Sequence, residues 1–163
     1  MTYQDFITRA KNIVNNQPIP PLYNPDDYDS LYFNCYAYAL QLCMDCKDWY
    51  ISPGFMSKQI TSRYDIPYTK KYILESFKED CELLGLQVFS STILEPIRSD
   101  EYKIAIYIIE NYGFHFARLD SNGKWSEKPG WLRENKIRIV ESVTENKNGY
   151  KFIGVFRVSK KVG

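Results

Sequence analysis

Apolar positions along the chain recur at two different periods, and the change between them falls near Gly85. Phe6, Ile7, Ala10, Ile13 and Val14 follow helical spacing over residues 3–14, with Thr2 placed to cap the first turn. A second helical stripe, Ile73, Phe77, Cys81 and Leu84, predicts a helix from a cap at Thr69 to Leu84, with Gly85 as its stop. Between them Asn34 suits an N-cap, and the run from Cys35 to about Cys46 predicts a helix with Tyr36, Ala39, Leu40 and Cys43 on one face. Four prolines make residues 15–30 extended or looped, and residues 47–68 read as irregular, with a turn at Ser52-Pro53-Gly54.

After Gly85 the pattern becomes one of strands. Segments 87–91, 102–110, 114–119, 124–128 and 150–158 are rich in β-branched and aromatic residues, and 136–143 is a further candidate. Ser121-Asn122-Gly123 marks the turn between the third and fourth. Helices followed by an antiparallel sheet predict an α+β domain over 1–163, with 1–32 as N-terminal helix and proline-rich lead-in.

Charge removes some classes of function. Lys and Arg total 21 against 20 Asp and Glu, so no global field draws nucleic acid or an anionic membrane. The start lacks a basic segment followed by an apolar core, and no apolar run reaches the length of a membrane span. Four cysteines in that context predict reduced thiols and a cytoplasmic protein. Fourteen tyrosines suit a groove with polar-tipped aromatic walls.

Candidate chemistry centres on Cys35 and on His115, the only histidine in the chain. Any Cys-His reaction must use that imidazole. In the first turn of a helix capped by Asn34, the Cys35 sulfur would meet unpaired backbone N–H groups, and an adjacent imidazolium would favour the thiolate. The same N–H groups could hold an oxyanion. Read alone, a cysteine flanked by Tyr36, Ala37 and Tyr38 is more often core filler.

NCYAYAL at 34–40, Pro53-Gly54, and HFARLDSNGKWSEKPG from His115 to Gly130 together resemble a family of mostly uncharacterised bacterial and phage proteins. Its pattern runs NCYAYAL, PG, then H-[WF]-Y-R-x-[DN]-x-D-G-x-W-S-H-K-x-G. That family is similar in turn to the NlpC-type papain-like hydrolases. The resemblance implies a papain-like fold with the nucleophile at the start of a helix and the base at the start of a strand. It implies a third residue twelve positions after the histidine, which is Glu127 here, where the family has histidine. A carboxylate can fix the imidazole tautomer and stabilise the imidazolium.

The expectation is therefore a cysteine peptidase or amidase acting on a peptide, protein or acyl-amide substrate through a thioester on Cys35, with no cofactor. Asn34, Tyr36 and Trp125 would delimit the substrate and oxyanion region, although Trp125 taken singly reads as hairpin packing. Two hairpin registers stay open. A five-residue loop from Leu119 to Gly123 sets His115 opposite Glu127, whereas a two-residue turn sets Glu127 opposite Arg118 as an ion pair. Asp120, at the hairpin tip, is the weaker candidate for orienting the imidazole, and Lys128 reads as solvent-facing.

Competing readings remain. Cys43-Met44-Asp45-Cys46 is a lone CxxC, a weak signal for zinc or redox chemistry. Glu79, Asp80 and Glu82 read as an acidic, solvated helix face. In the alternative class, the domain is a catalytically degenerate papain-like module that binds a protein partner, with Glu127 a trace of decay.

Overall fold

A computed structural model describes residues 1–28, 31–146 and 148–161. Helix α1 (Tyr3–Asn15) begins with a capping box, in which Thr2 and Asp5 each accept from the other's backbone N–H. A 3-10 turn at Pro25–Tyr28 interrupts the proline-rich segment. Helix α2 (Cys35–Ala39) is capped by Asn34, whose side chain accepts from Ala37 N–H at 3.0 Å. It ends far earlier than Cys46, because Leu40 closes its last turn and Gln41 adopts a left-handed φ of 61°. Leu40 and Leu42 are fully buried all the same, so their apolarity reports tertiary packing and not helical continuation.

The 47–68 stretch holds two short helical turns, α3 (Phe55–Lys58) and a 3-10 turn at Arg63–Asp65. Helix α4 (Lys70–Leu83) starts at the Thr69 cap and stops before Gly85, where φ is 82°. Its stripe Ile73, Phe77, Cys81 and Leu84 is fully buried.

Among the described residues six strands form one antiparallel sheet. They are β1 (Leu86–Ser91), β2 (Glu101–Ile109), β3 (Gly113–Leu119), β4 (Trp125–Glu127), β5 (Arg138–Val140) and β6 (Lys151–Lys160), in the order β1-β6-β2-β3-β4-β5. The architecture is α+β. The main core lies between the helices and one sheet face, where Tyr36 packs on Phe116 at 4.7 Å and Phe77 on Phe116 and Phe156 at 5.7 Å. A smaller cluster of Ala105, Tyr107, Ala117, Val140, Val143 and Val155 covers the opposite face. Among the described residues no helix is long and apolar enough to cross a membrane.

Charged side chains help to seal the fold. Arg118 is 1% exposed, donates to Asp120 at 2.8 Å and to the Tyr38 carbonyl at 3.0 Å, and lies 3.8 Å over the Tyr38 ring. Asp120 also accepts from Ser126 Oγ at 2.5 Å. Asp120 is thus a buried brace beneath the hairpin and not an exposed tip residue. Lys103, buried on β2, donates to the carbonyls of Thr92, Ile93 and Glu95 and holds that loop over the second cluster.

Candidate active site

The N-terminus of α2 meets the sheet where the β2–β3 turn and the start of β6 come together. Cys35 is the first residue of α2 and His115 the third residue of β3. Eighty residues apart along the chain, both line one cleft of about 520 Å³. Its walls include Tyr50, Tyr68, Tyr112, Tyr150 and Trp131, with Arg63 at the rim, so polar-tipped aromatic rings surround the sulfur.

His115 Nε2 lies 2.8 Å from Glu127 Oε1. Glu127 is held as a carboxylate, its pKa lowered to about 2. Burial opposes that ionisation, but hydrogen bonds and charge from His115 and Arg138 outweigh it. A carboxylate only accepts, so Nε2 carries the proton in this contact and Nδ1 is left to face the sulfur. Burial also works against an imidazolium at His115. The charge of Cys35, a side-chain hydrogen bond with it, and Glu127 overcome burial and raise the pKa to about 9. Imidazolium is therefore favoured at neutral pH, and an imidazolium beside a cysteine stabilises a thiolate.

Neither anticipated hairpin register occurs. Leu119 pairs with Trp125, Arg118 with Ser126 and Ala117 with Glu127, so Glu127 is a diagonal neighbour of His115 on the same sheet face. The connection is Asp120–Lys124, closed by Asp120 N–H to the Lys124 carbonyl at 3.0 Å, with Gly123 at φ 79°. Glutamate is long enough to span the diagonal. Its other oxygen accepts from Arg138 Nε on β5 at 2.7 Å, so Arg138, and not Arg118, is its cationic partner.

The remaining site expectations divide. Asn34 lines the cleft and ties its side-chain amide to the Ile51 carbonyl. Tyr36 is wholly buried, with its hydroxyl donating to Asp80 at 2.6 Å, so only its backbone N–H can serve an oxyanion. Trp125 does not reach the cleft. It packs against the second cluster, because it pairs with Leu119 and Val140 farther along the hairpin. Asp120 touches Arg118 and Ser126, which leaves the imidazole to Glu127.

Two residues read as solvated turn out to support the site. Asp80 is buried and accepts from Tyr36 Oη, Gly54 N–H, Ser57 N–H and Ser57 Oγ. Burial pushes its carboxyl up while those four bonds pull it down. It locks α4 to the residue after Cys35 and to the Pro53-Gly54 turn. Lys128 is 3% exposed and lines the cleft. The helical period of Asp80 is offset by only one residue from the apolar stripe, which is the one sequence signal for its burial. Lys128 carried none beyond its place in the matched motif.

The CxxC cysteines lie beyond the end of α2. Cys46 is buried, and burial raises its thiol to about 12. Among the described residues no three of His, Cys, Asp and Glu converge in a metal-holding group.

Residues 25–153 match the family model described as Domain of unknown function (DUF7689), and the chain belongs to that family. The match spans the Cys35 helix, the hairpin with His115 and Glu127, and the opening of β6. No curated protein and no solved structure matches the chain.

Proposed function

We propose that this protein is a papain-like cysteine hydrolase of the NlpC type, acting as a peptidase or amidase. The observation that carries the reading is an imidazole, held by the Glu127 carboxylate at 2.8 Å, that lines the same aromatic cleft as Cys35. The Cys35 thiolate attacks the substrate carbonyl carbon, and the developing oxyanion is met by backbone N–H groups of the first turn of α2. The tetrahedral intermediate collapses as the C–N bond breaks, and His115 passes its proton to the departing amine. His115, now neutral, takes a proton from water, which attacks the thioester; collapse of the second tetrahedral intermediate breaks the C–S bond, releases the acid and restores the thiolate beside the imidazolium. Glu127 keeps the imidazole oriented and supports its positive form in both halves of the cycle. These steps call for no metal or organic cofactor.

The test is competitive alkylation read by peptide mapping. Iodoacetamide should label Cys35 ahead of Cys43, Cys46 and Cys81, and His115→Ala should slow that labelling at pH 7 by about tenfold or more. Cys35→Ala should abolish turnover in an amidase and esterase panel while leaving the thermal transition in place. Equal labelling of Cys35 and Cys43, insensitive to His115, would reject the catalytic reading and favour the partner-binding module.

A further inference from the structure

Lys128 follows β4 directly and points its ammonium into the protein. Nζ donates to the Gly130 carbonyl at 2.6 Å and to the Leu132 carbonyl at 2.7 Å, and sits 5.1 Å from the centre of the Phe33 ring. Two carbonyls satisfy two of its three donors but leave its charge uncompensated, and a buried charge needs a counter-charge. Glu134 attracts it weakly, Lys136 repels it, and burial lowers its pKa to about 8. The strongest attraction it feels comes from Cys35, which shares the cleft with it. Cys35 also acts on His115, Tyr50 and Tyr150, while Arg63 at the rim and Tyr64, Tyr68 and Tyr112 line the same cleft. Tyr50 and Tyr150 are pushed up, chiefly by burial and then with Cys35 among the contributors, so neither supplies positive charge.

We infer that Lys128 is a positioning residue of the Cys35 centre: a fixed cation that supports negative charge on the sulfur while its two carbonyl bonds pin the 130–132 wall of the cleft. This rests on the cysteine-hydrolase reading. A free thiolate would then have both the imidazolium and the ammonium in its cleft. His115 regains its proton when water adds to the thioester, so both cations are in place as the thiolate leaves the second tetrahedral intermediate.

The experiment is the pH dependence of Cys35 alkylation by iodoacetamide, a reagent too small to need the 130–132 wall. Lys128→Met should move the whole alkylation profile to higher pH and slow labelling on its rising limb. Lys128→Arg should keep the profile of the parent protein. A folded Lys128→Met variant with an unshifted profile, even if KM rises, would reduce Lys128 to a wall residue and overturn the inference. If that variant does not fold, the reciprocal measurement decides. The ¹³Cε titration of Lys128 should fall to lower pH in Cys35→Ser, and an unchanged midpoint would overturn the inference. Alkylation of the parent protein that ignores His115→Ala would defeat the hydrolase reading itself. Alkylation that responds to His115 but not to Lys128 defeats only this one.

Discussion

Because the chain has one histidine, a single imidazole resonance reports on the whole Cys35–His115–Glu127 arrangement. The rise of His115 from an ordinary value near 6.5 to about 9 corresponds to about 3 kcal/mol favouring the imidazolium, at about 1.4 kcal/mol per pH unit. Cys35 is the larger contributor, and Glu127 at 2.8 Å adds to it through a charge-assisted hydrogen bond, an interaction worth about 1.5–3 kcal/mol. Glu127→Gln keeps the shape and removes the charge, and the midpoint of the imidazole titration should fall by roughly one to two pH units. In the Cys35→Ser, Glu127→Gln double variant, burial acts unopposed and the midpoint should drop below 6.5. The assay is the ¹H–¹³C correlation of the Cε1 position from pH 5 to 10. A midpoint that stays put in Glu127→Gln would refute the claim that this carboxylate supports the imidazolium.

The sign of the linked stability follows. The raised His115 contributes stability that is complete below 6.5 and lost as pH rises through about 9. The depressed Glu127 contributes above about 4.5 and is lost as pH falls through about 2. Denaturant midpoints should therefore be flat between about pH 4.5 and 6.5 and decline on both sides. The two flanks share the His115–Glu127 contact and do not add in full.

Two further perturbations probe the frame around Cys35. Asp80→Asn replaces one acceptor with a donor that faces backbone N–H groups, and should cost about 2–3 kcal/mol, lowering Tm by roughly 5–10 °C in a calorimetric scan; a change under 2 °C would show that the buried carboxylate holds nothing in place. Gly54→Ala must keep φ near 95° and would drive its Cβ into the Tyr72 hydroxyl, so a loss of about 1–3 kcal/mol should appear in urea unfolding, whereas an unchanged midpoint would mean that the turn relaxes without penalty.

The sequence pattern carried the strands and the long helices well, because Thr69, Gly85 and the Ile73–Leu84 stripe state start, stop and buried face together. Helix α2 was overextended because a short buried run and a buried helix have the same composition. Leu40 and Leu42 are apolar for the core, and the left-handed turn at Gln41 has no glycine to announce it. The hairpin register escaped for a related reason. Asp120 and Lys124 close the turn through backbone groups, and the buried Arg118–Asp120–Ser126 brace favours that closure over the tighter Asn122-Gly123 turn. Cys35 and His115 were legible as types in position, and Glu127 only through the family resemblance, which implies a third residue twelve positions after the histidine. Asp80 and Lys128 were not, since a charged residue is buried only when distant backbone groups are ready to receive it, and those partners are invisible locally.

The position of β6 between β1 and β2 bears on how the chain is made. During vectorial synthesis the cysteine-bearing segment emerges early, while its imidazole partner follows eighty residues later and the strand that joins the two parts of the sheet comes after both. A ribosome-bound nascent chain therefore keeps β1 apart from the strands that carry the imidazole until residues 151–160 slot between them.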